Sequence, residues 1–364
     1  MIKNEQKEIK NLIKLSKYAG ERFDLVQSAG GNTSIKLNKQ IMLIKSSGVS
    51  LSDLSINHGY SKVDNDKIIK IFQNKIIKNT KRKKFNELLA QKLLKKVNLN
   101  RETKPSIEVF LHSFLDKVTL HTHPICVLNI LCRKDSEQII KKIFNKKNFL
   151  FIKYKTPGIE LALELKKKIQ LYLMKKNFLP KIIFLENHGL IINDNNINKV
   201  MLLNEKVIIK IEKFLKINYT NYKIISSLSK LVRKILKNNN LITYYSEDII
   251  VNNKKFIKKY LFSTPSCPDV FVFNGFVPCK LNAINDYLSI VKFRSKHGMF
   301  PKVFYYKSKI FFINSSVRRA KTMEEMMKFH FLSLSKTANK VQPLSKKELK
   351  YLSNMASEKY RQNI

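Results

Sequence analysis

Residues 117–124 read Lys-Val-Thr-Leu-His-Thr-His-Pro. The run 117–121 is apolar and β-branched enough to predict a strand. Its two histidines, His121 and His123, stand at i and i+2. On a strand those positions share a face, so both rings reach one ion. Imidazole is a common ligand of zinc and similar metals, and a catalytic site adds one open position to three protein ligands. Taken alone, such a pair fits a metal site and also fits two structural histidines.

Two further stretches extend the pattern. Glu186-Asn187-His188-Gly189 follows an apolar run, 182–186, and precedes another, 190–193. Both runs predict strands, and the glycine permits a tight turn that presents a third imidazole. Pro105-Ser106-Ile107-Glu108 opens a predicted helix, 106–116, with Ser106 as its N-cap. A carboxylate in the first turn is favoured by the helix dipole and stays ionised, able to ligate or take a proton. Glu108 also fits a solvated first-turn acid. His112, one turn later on the same face, fits a partner behind the site or a structural histidine.

A separate cluster is Ala29-Gly30-Gly31-Asn32-Thr33-Ser34, followed by Ser46-Ser47-Gly48. Glycines beside small hydroxyl residues can offer several backbone N–H groups to a phosphate. The same residues are compatible with ordinary turns, and the spacing is neither a Walker A loop nor a dinucleotide fingerprint.

Helical spacing covers 5–20, closed by Gly20, and helices are predicted at 84–97, 159–177 and 196–216. Short strands at 33–37 and 41–45 flank a polar Asn38-Lys39 turn. The Lys-, Ile- and Asn-rich stretch 64–80 has no clear assignment. The pattern loosens around 217–226, which sets a boundary: a catalytic domain at 1–218, an extension at 219–340 and a polar tail at 341–364. The extension reads as helices at 226–239 and 254–261, a strand at 269–273, a hairpin across 303–313, and a helix to about 336 capped by Ser315 or Ser316.

In order along residues 30–190, the motifs GGNTS, SSG, PSIE, HTHP, PG and ENHGL resemble the class II aldolase/adducin family, across roughly residues 8–215. The resemblance implies a three-layer α/β/α domain with a largely antiparallel central sheet, and the C-terminal part resembles the smaller α/β extension of longer members. It implies a metal-dependent aldehyde-lyase that cleaves a phosphorylated ketose by retro-aldol chemistry. A sugar-phosphate 4-epimerase or decarboxylase on the same ligands, and a non-catalytic adducin-like interaction protein, are the alternatives. Carried over residue by residue, it makes His121, His123 and His188 metal ligands. Glu108 becomes the residue that ligates the empty metal and acts as acid/base once substrate displaces it, and Asn32, Ser47, Gly48 and Ser106 match positions that hold the substrate phosphate. Ile107 departs from the family, whose aldolases often carry a second polar residue there. Zn2+ is the implied ion, with Mn2+ or Fe2+ as alternatives, and a homotetramer the implied assembly. No nicotinamide-binding glycine fingerprint is seen, so no dehydrogenase activity is expected.

Composition narrows the remaining classes. A chain of 364 residues exceeds the usual size of one core. Lys and Arg total 70 against 27 acidic residues, a formal +43. Only nine of the basic residues are Arg, and no aromatic-interleaved basic stripe appears, so a specific nucleic-acid reader is not expected. A positive field instead favours small anionic substrates. The four cysteines form no CxxC pair and read as reduced. The charged amphipathic N-terminus is not a signal peptide, and no 18-residue apolar run occurs, so a cytoplasmic enzyme without membrane contact is expected.

Overall fold

Val118–Thr122 forms a strand buried along its whole length, and the first half of the chain is layered around it. The computed structural model describes residues 2–73, 83–145, 148–337 and 340–355. It divides into two compact units, Met1–Tyr219 and Thr220–Ile364.

The first unit carries one seven-stranded sheet. Its strands are β1 (Asn32–Lys36), β2 (Ile41–Lys45), β3 (Tyr60–Asp64), β4 (Val118–Thr122), β5 (Leu150–Ile152), β6 (Ile182–Leu185) and β7 (Gly189–Asp194). They lie in the order β3-β2-β1-β4-β7-β6-β5. Every neighbouring pair is antiparallel except β5 with β6. Side chains alternate across such a sheet, so each strand feeds two cores. Ile35, Leu43, Leu120 and Ile192 face one core, which is completed by α1 (Ile2–Gly20), α5 (Ile125–Leu131), α6 (Ser136–Ile143) and α8 (Ile197–Leu215). Met42, Ile44, Ile183 and Ile191 face the other, under α2 (Asn65–Gln73), α3 (Lys83–Val97), α4 (Val109–His112) and α7 (Ile159–Lys176). Each fully buried Leu or Ile side chain contributes about 1.5–3 kcal/mol. The result is a mixed α/β domain of three layers, helix on sheet on helix.

The second unit comprises α9 (Thr220–Leu236), β8 (Ile242–Tyr245), α10 (Lys254–Tyr260), α11 (Pro268–Asn274), β9 (Cys279–Lys280), α12 (Tyr287–His297), β10 (Val303–Tyr306), β11 (Lys309–Asn314), α13 (Val317–Ser335) and α14 (Lys346–Asn354). Its four strands run β8-β11-β10-β9. Met323, Met327 and Phe331 of α13 bury against Val303, Ile310 and Phe312 of the β10–β11 hairpin. The Ser316 hydroxyl accepts from Arg319 N and caps α13.

Several local expectations change. Residues 269–273 are helical, not a strand: Pro268 stands at the first helical position with Asp269 beside it, two favourable starts that outweigh the apolar run. The helix expected over 106–116 contracts to the four residues of α4. Helix α9 begins at Thr220, inside the stretch read as loose. Within the polar stretch 341–364, α14 buries Leu349 and Leu352 against Phe271. Residues 74–80 of the unassigned segment, and 356–364, lie outside the described residues.

Candidate metal centre

Strand β4 alternates between the two cores, with Leu120 in one and His121 facing the other, where α4 lies. Its neighbours in register are Asn32 on β1 and Ile191 on β7. His123 follows the strand by one residue, and its N–H donates to Leu25 O at 3.0 Å. His188 closes the β6–β7 connection, with its N–H donating to Leu185 O at 3.1 Å while Asn187 adopts φ 53°. Glu108 precedes α4, where its N–H donates to the Ser106 hydroxyl at 3.3 Å. The expected Ser106 cap is thus replaced by a turn that ends at Glu108.

These four side chains converge. Glu108 Oε1 lies 3.4 Å from His121 Nε2 and 3.3 Å from His188 Nε2. His121 Nε2 and His123 Nε2 are 3.0 Å apart. One ligand atom from each residue lies within 4.8 Å of all the others. Four donors held about 2.1 Å from one ion at tetrahedral angles stand about 3.4 Å from one another. The Glu108–His121 and Glu108–His188 spacings match that value and the His121–His123 spacing is somewhat shorter, and three imidazoles with one carboxylate are a donor set that suits a divalent transition metal. His121 and His188 also have buried Nδ1 atoms without a partner among the described residues.

Close backbone approach makes room for the rings. A Cβ on Gly189 would stand 2.8 Å from His123 Cδ2 and 2.4 Å from Thr122 O. On Gly30 it would meet His123 Nδ1 at 3.1 Å. Gly31, at φ +69°, would put one 2.9 Å from His121 O.

Burial disfavours charge on His121 and His123 and lowers the pKa of both, His121 far below the ordinary imidazole value. Burial alone would raise Glu108, but the fields of His121 and His188 and a hydrogen bond from His188 outweigh it and hold the carboxyl well below its usual range. The cluster thus places an ionised Glu108 carboxylate beside His121 and His123, on which burial disfavours a proton. That negative electrostatic state suits a cation.

The remaining sequence-predicted residues flank this cluster. Asn32 is 1% exposed, with its Oδ1 unpartnered among the described residues. Ser47 N donates to Lys104 O at 2.8 Å and Ser46 bridges to Pro105, so the 46–48 and 104–106 segments lie side by side. His112 Nδ1 pairs with Ser34 Oγ at 2.7 Å, behind the cluster. Burial depresses the His112 pKa to about 4. Lys45 was not singled out by sequence. Its buried ammonium donates to Ala29 O at 2.9 Å and Val49 O at 2.7 Å, joining the two glycine-containing segments. No motif announces it, because a Lys at a strand end is normally solvated.

A family model, class II aldolase and adducin N-terminal domain, matches residues 10–208. The chain belongs to that family. Class II aldolases depend on a divalent metal, and the Glu/His cluster lies within the matched residues. The chain is 26% identical over 194 residues to the uncharacterized oxidoreductase YuxG of Bacillus subtilis (strain 168), covering 51% of this chain and 26% of that protein. It thus spans about a quarter of the length of that curated relative. It is similar to the N-terminal class II aldolase domain of a conserved protein from Thermoplasma acidophilum at 27% identity and a TM-score of 0.47, covering 56% of this chain and 92% of that one. A sugar-phosphate aldolase from Thermotoga maritima is similar at 14% identity and a TM-score of 0.39, covering 59% and 98%. Among the described residues no helix is long and apolar enough to cross a membrane.

Proposed function

We propose that this chain is a metal-dependent aldehyde-lyase of carbohydrate metabolism that cleaves a phosphorylated ketose by retro-aldol chemistry. The observation that carries the reading is the convergence of Glu108 Oε1 with the Nε2 atoms of His121 and His188, and of His123 Nε2 with His121. In this proposal His121, His123 and His188 would hold the ion, with Glu108 as the fourth ligand until substrate takes its place. Zn2+ is the leading choice, and Mn2+ and Fe2+ are also compatible with the donors. When bound, such an ion supplies Lewis-acid polarisation of the substrate carbonyl.

Glu108 does the proton work. Its carboxylate is ionised at neutral pH, so it takes a proton from the substrate as the carbon–carbon bond breaks and returns one to the carbon released. Transfer by a positioned side chain contributes about 10²–10⁴-fold. Asn32, Ser47, Gly48 and Ser106 are the proposed phosphate contacts, and the Lys45 ammonium adds positive charge beside them. The burial of His121 excludes water from one wall of the site and strengthens each interaction there. A cytoplasmic homotetramer is the proposed setting.

The test pairs metal content with a screen of ketose phosphates for aldehyde release, wild type beside His123→Ala. About one ion per chain, lost together with cleavage in the variant, is the expected result. Full activity in a metal-poor His123→Ala enzyme refutes the proposal. Inversion of a sugar carbon without cleavage would move the reaction to the epimerases while leaving the metal ligands as proposed.

A further inference from the structure

Arg22 lies outside the ligand cluster and is fully buried, at 0% exposure. Its guanidinium donates from Nε to Asp24 Oδ1 at 2.9 Å and from Nη2 to Asp24 Oδ2 at 2.5 Å, a two-point fork. Nη1 reaches Glu205 Oε1 on α8. Glu205 also accepts from the Tyr18 hydroxyl at 2.6 Å, and that hydroxyl accepts from Asn204 Nδ2 at 3.0 Å. The guanidinium thus ties the 21–26 turn to α1 and α8.

The same turn holds the chain as it leaves β4. Ile125 N donates to Asp24 O at 3.0 Å, and His123 N donates to Leu25 O at 3.0 Å. Leu25 N and Val26 N in turn donate to Arg22 O at 3.0 and 3.1 Å. The path from the guanidinium to the backbone of His123 therefore runs through the Asp24 carboxylate, one residue of chain to Leu25, and the hydrogen bond from His123 N to Leu25 O. Val26 also packs where Gly31 passes His121 O.

Buried ion pairs contribute little net stability, because desolvation offsets most of the attraction. A planar bidentate fork does something else well: it fixes relative orientation. We propose that Arg22 and Asp24 are positioning residues for the metal centre, setting the backbone of His123 so that its Nε2 meets those of His121 and His188. The inference rests on the metal-ligand part of the reading above and is independent of which sugar, if any, is cleaved.

The test uses the full chain with Zn2+ and with Co2+, comparing wild type, Arg22→Met and Arg22→Lys. Lysine keeps the charge and loses the fork. We expect Zn2+ affinity to fall about 10–100-fold in both variants. We also expect the visible absorption of the Co2+-loaded protein to shift, reporting a changed ligand geometry at fixed occupancy. A purely structural role would lower the melting temperature of the metal-free chain and leave the Co2+ spectrum and Zn2+ affinity unmoved, which overturns the inference. If Arg22→Met fails to fold, Arg22→Lys decides. A wild-type chain that binds neither ion overturns the metal reading and this inference together. Wild-type binding with indifferent variants overturns this inference alone.

Discussion

Replacing Gly189 by Ala tests the packing that lets the two histidine segments meet. Gly189 opens β7 directly after His188 and pairs with Leu185 across the hairpin. A Cβ there would stand 2.4 Å from Thr122 O, 2.8 Å from His123 Cδ2 and 3.4 Å from His121 Cε1. A carbon rests no closer than about 3.3 Å to a carbonyl oxygen, so β7 and β4 must part by about 0.9 Å. Metal–ligand distances tolerate only about ±0.2 Å. The displacement therefore exceeds the tolerance several-fold, and it falls on the backbone that carries His188 and His123. Overpacking of this kind costs about 1–3 kcal/mol. For a unit of this size that lowers the melting temperature by about 2–12 °C. Metal affinity should fall at least about 10-fold. Calorimetric melting of the metal-free chain gives the first quantity, and competition with a chelator gives the second. A Gly189→Ala chain that melts with the wild type and holds Zn2+ as tightly would show that β4 and β7 do not approach this closely, and the argument would fall.

Two other perturbations address the second unit. Leu349 is 1% exposed against Phe271, so Leu349→Ala should destabilise the unit by about 2–5 kcal/mol in urea titration, and a change below about 0.5 kcal/mol would make α14 peripheral after all. His330, 3% exposed, has its pKa pushed by burial down to about 4 against a hydrogen bond to Tyr260 that raises it. The unfolded chain then binds a proton below pH ~6.5 that the folded one refuses until about pH 4, so stability falls as pH drops through that window and levels off below it. The total is on the order of 3 kcal/mol. His330→Gln should flatten this part of the urea-midpoint profile between pH 7 and 4.5, and an unchanged slope would refute it.

Much of this protein is encoded locally. The β-branched run before His121, the apolar runs on either side of His188 and the 3.6-residue spacing of 196–216 each carry their own period, and β4, β6, β7 and α8 form where that period calls for them. Asn196 even supplies the expected kind of cap, accepting from Asn198 N and Lys199 N. The order of short motifs along 30–190 is likewise a one-dimensional property, and it identifies the family without a fold. Short apolar runs are where local reading fails. The Val-Phe-Val-Phe stretch at 270–273 suits a strand or a helix turn, and Pro268 together with packing on Leu349 selects the helix. Strands β3 and β5 had no assignment from sequence: β3 alternates buried with half-buried residues among polar side chains, and β5 is only three residues long.

What only the tertiary structure decides is distance between residues far apart in sequence. Glu108 is a candidate ligand already in sequence, but its 3.4 Å approach to His121 exists only because α4 lies over the face of β4 that bears that histidine. Lys45 and Arg22 look like two more cations in a chain of 70 basic residues. Folding buries both beside the centre, one joining two loop carbonyls and the other joining two carboxylates. The physical reason is the range of the forces involved. Backbone preference and side-chain period act over a few residues, so they can be read along a line. Burial, ion pairing and close packing act across space, and they acquire values only once the sheet order has brought β1, β4 and β7 together.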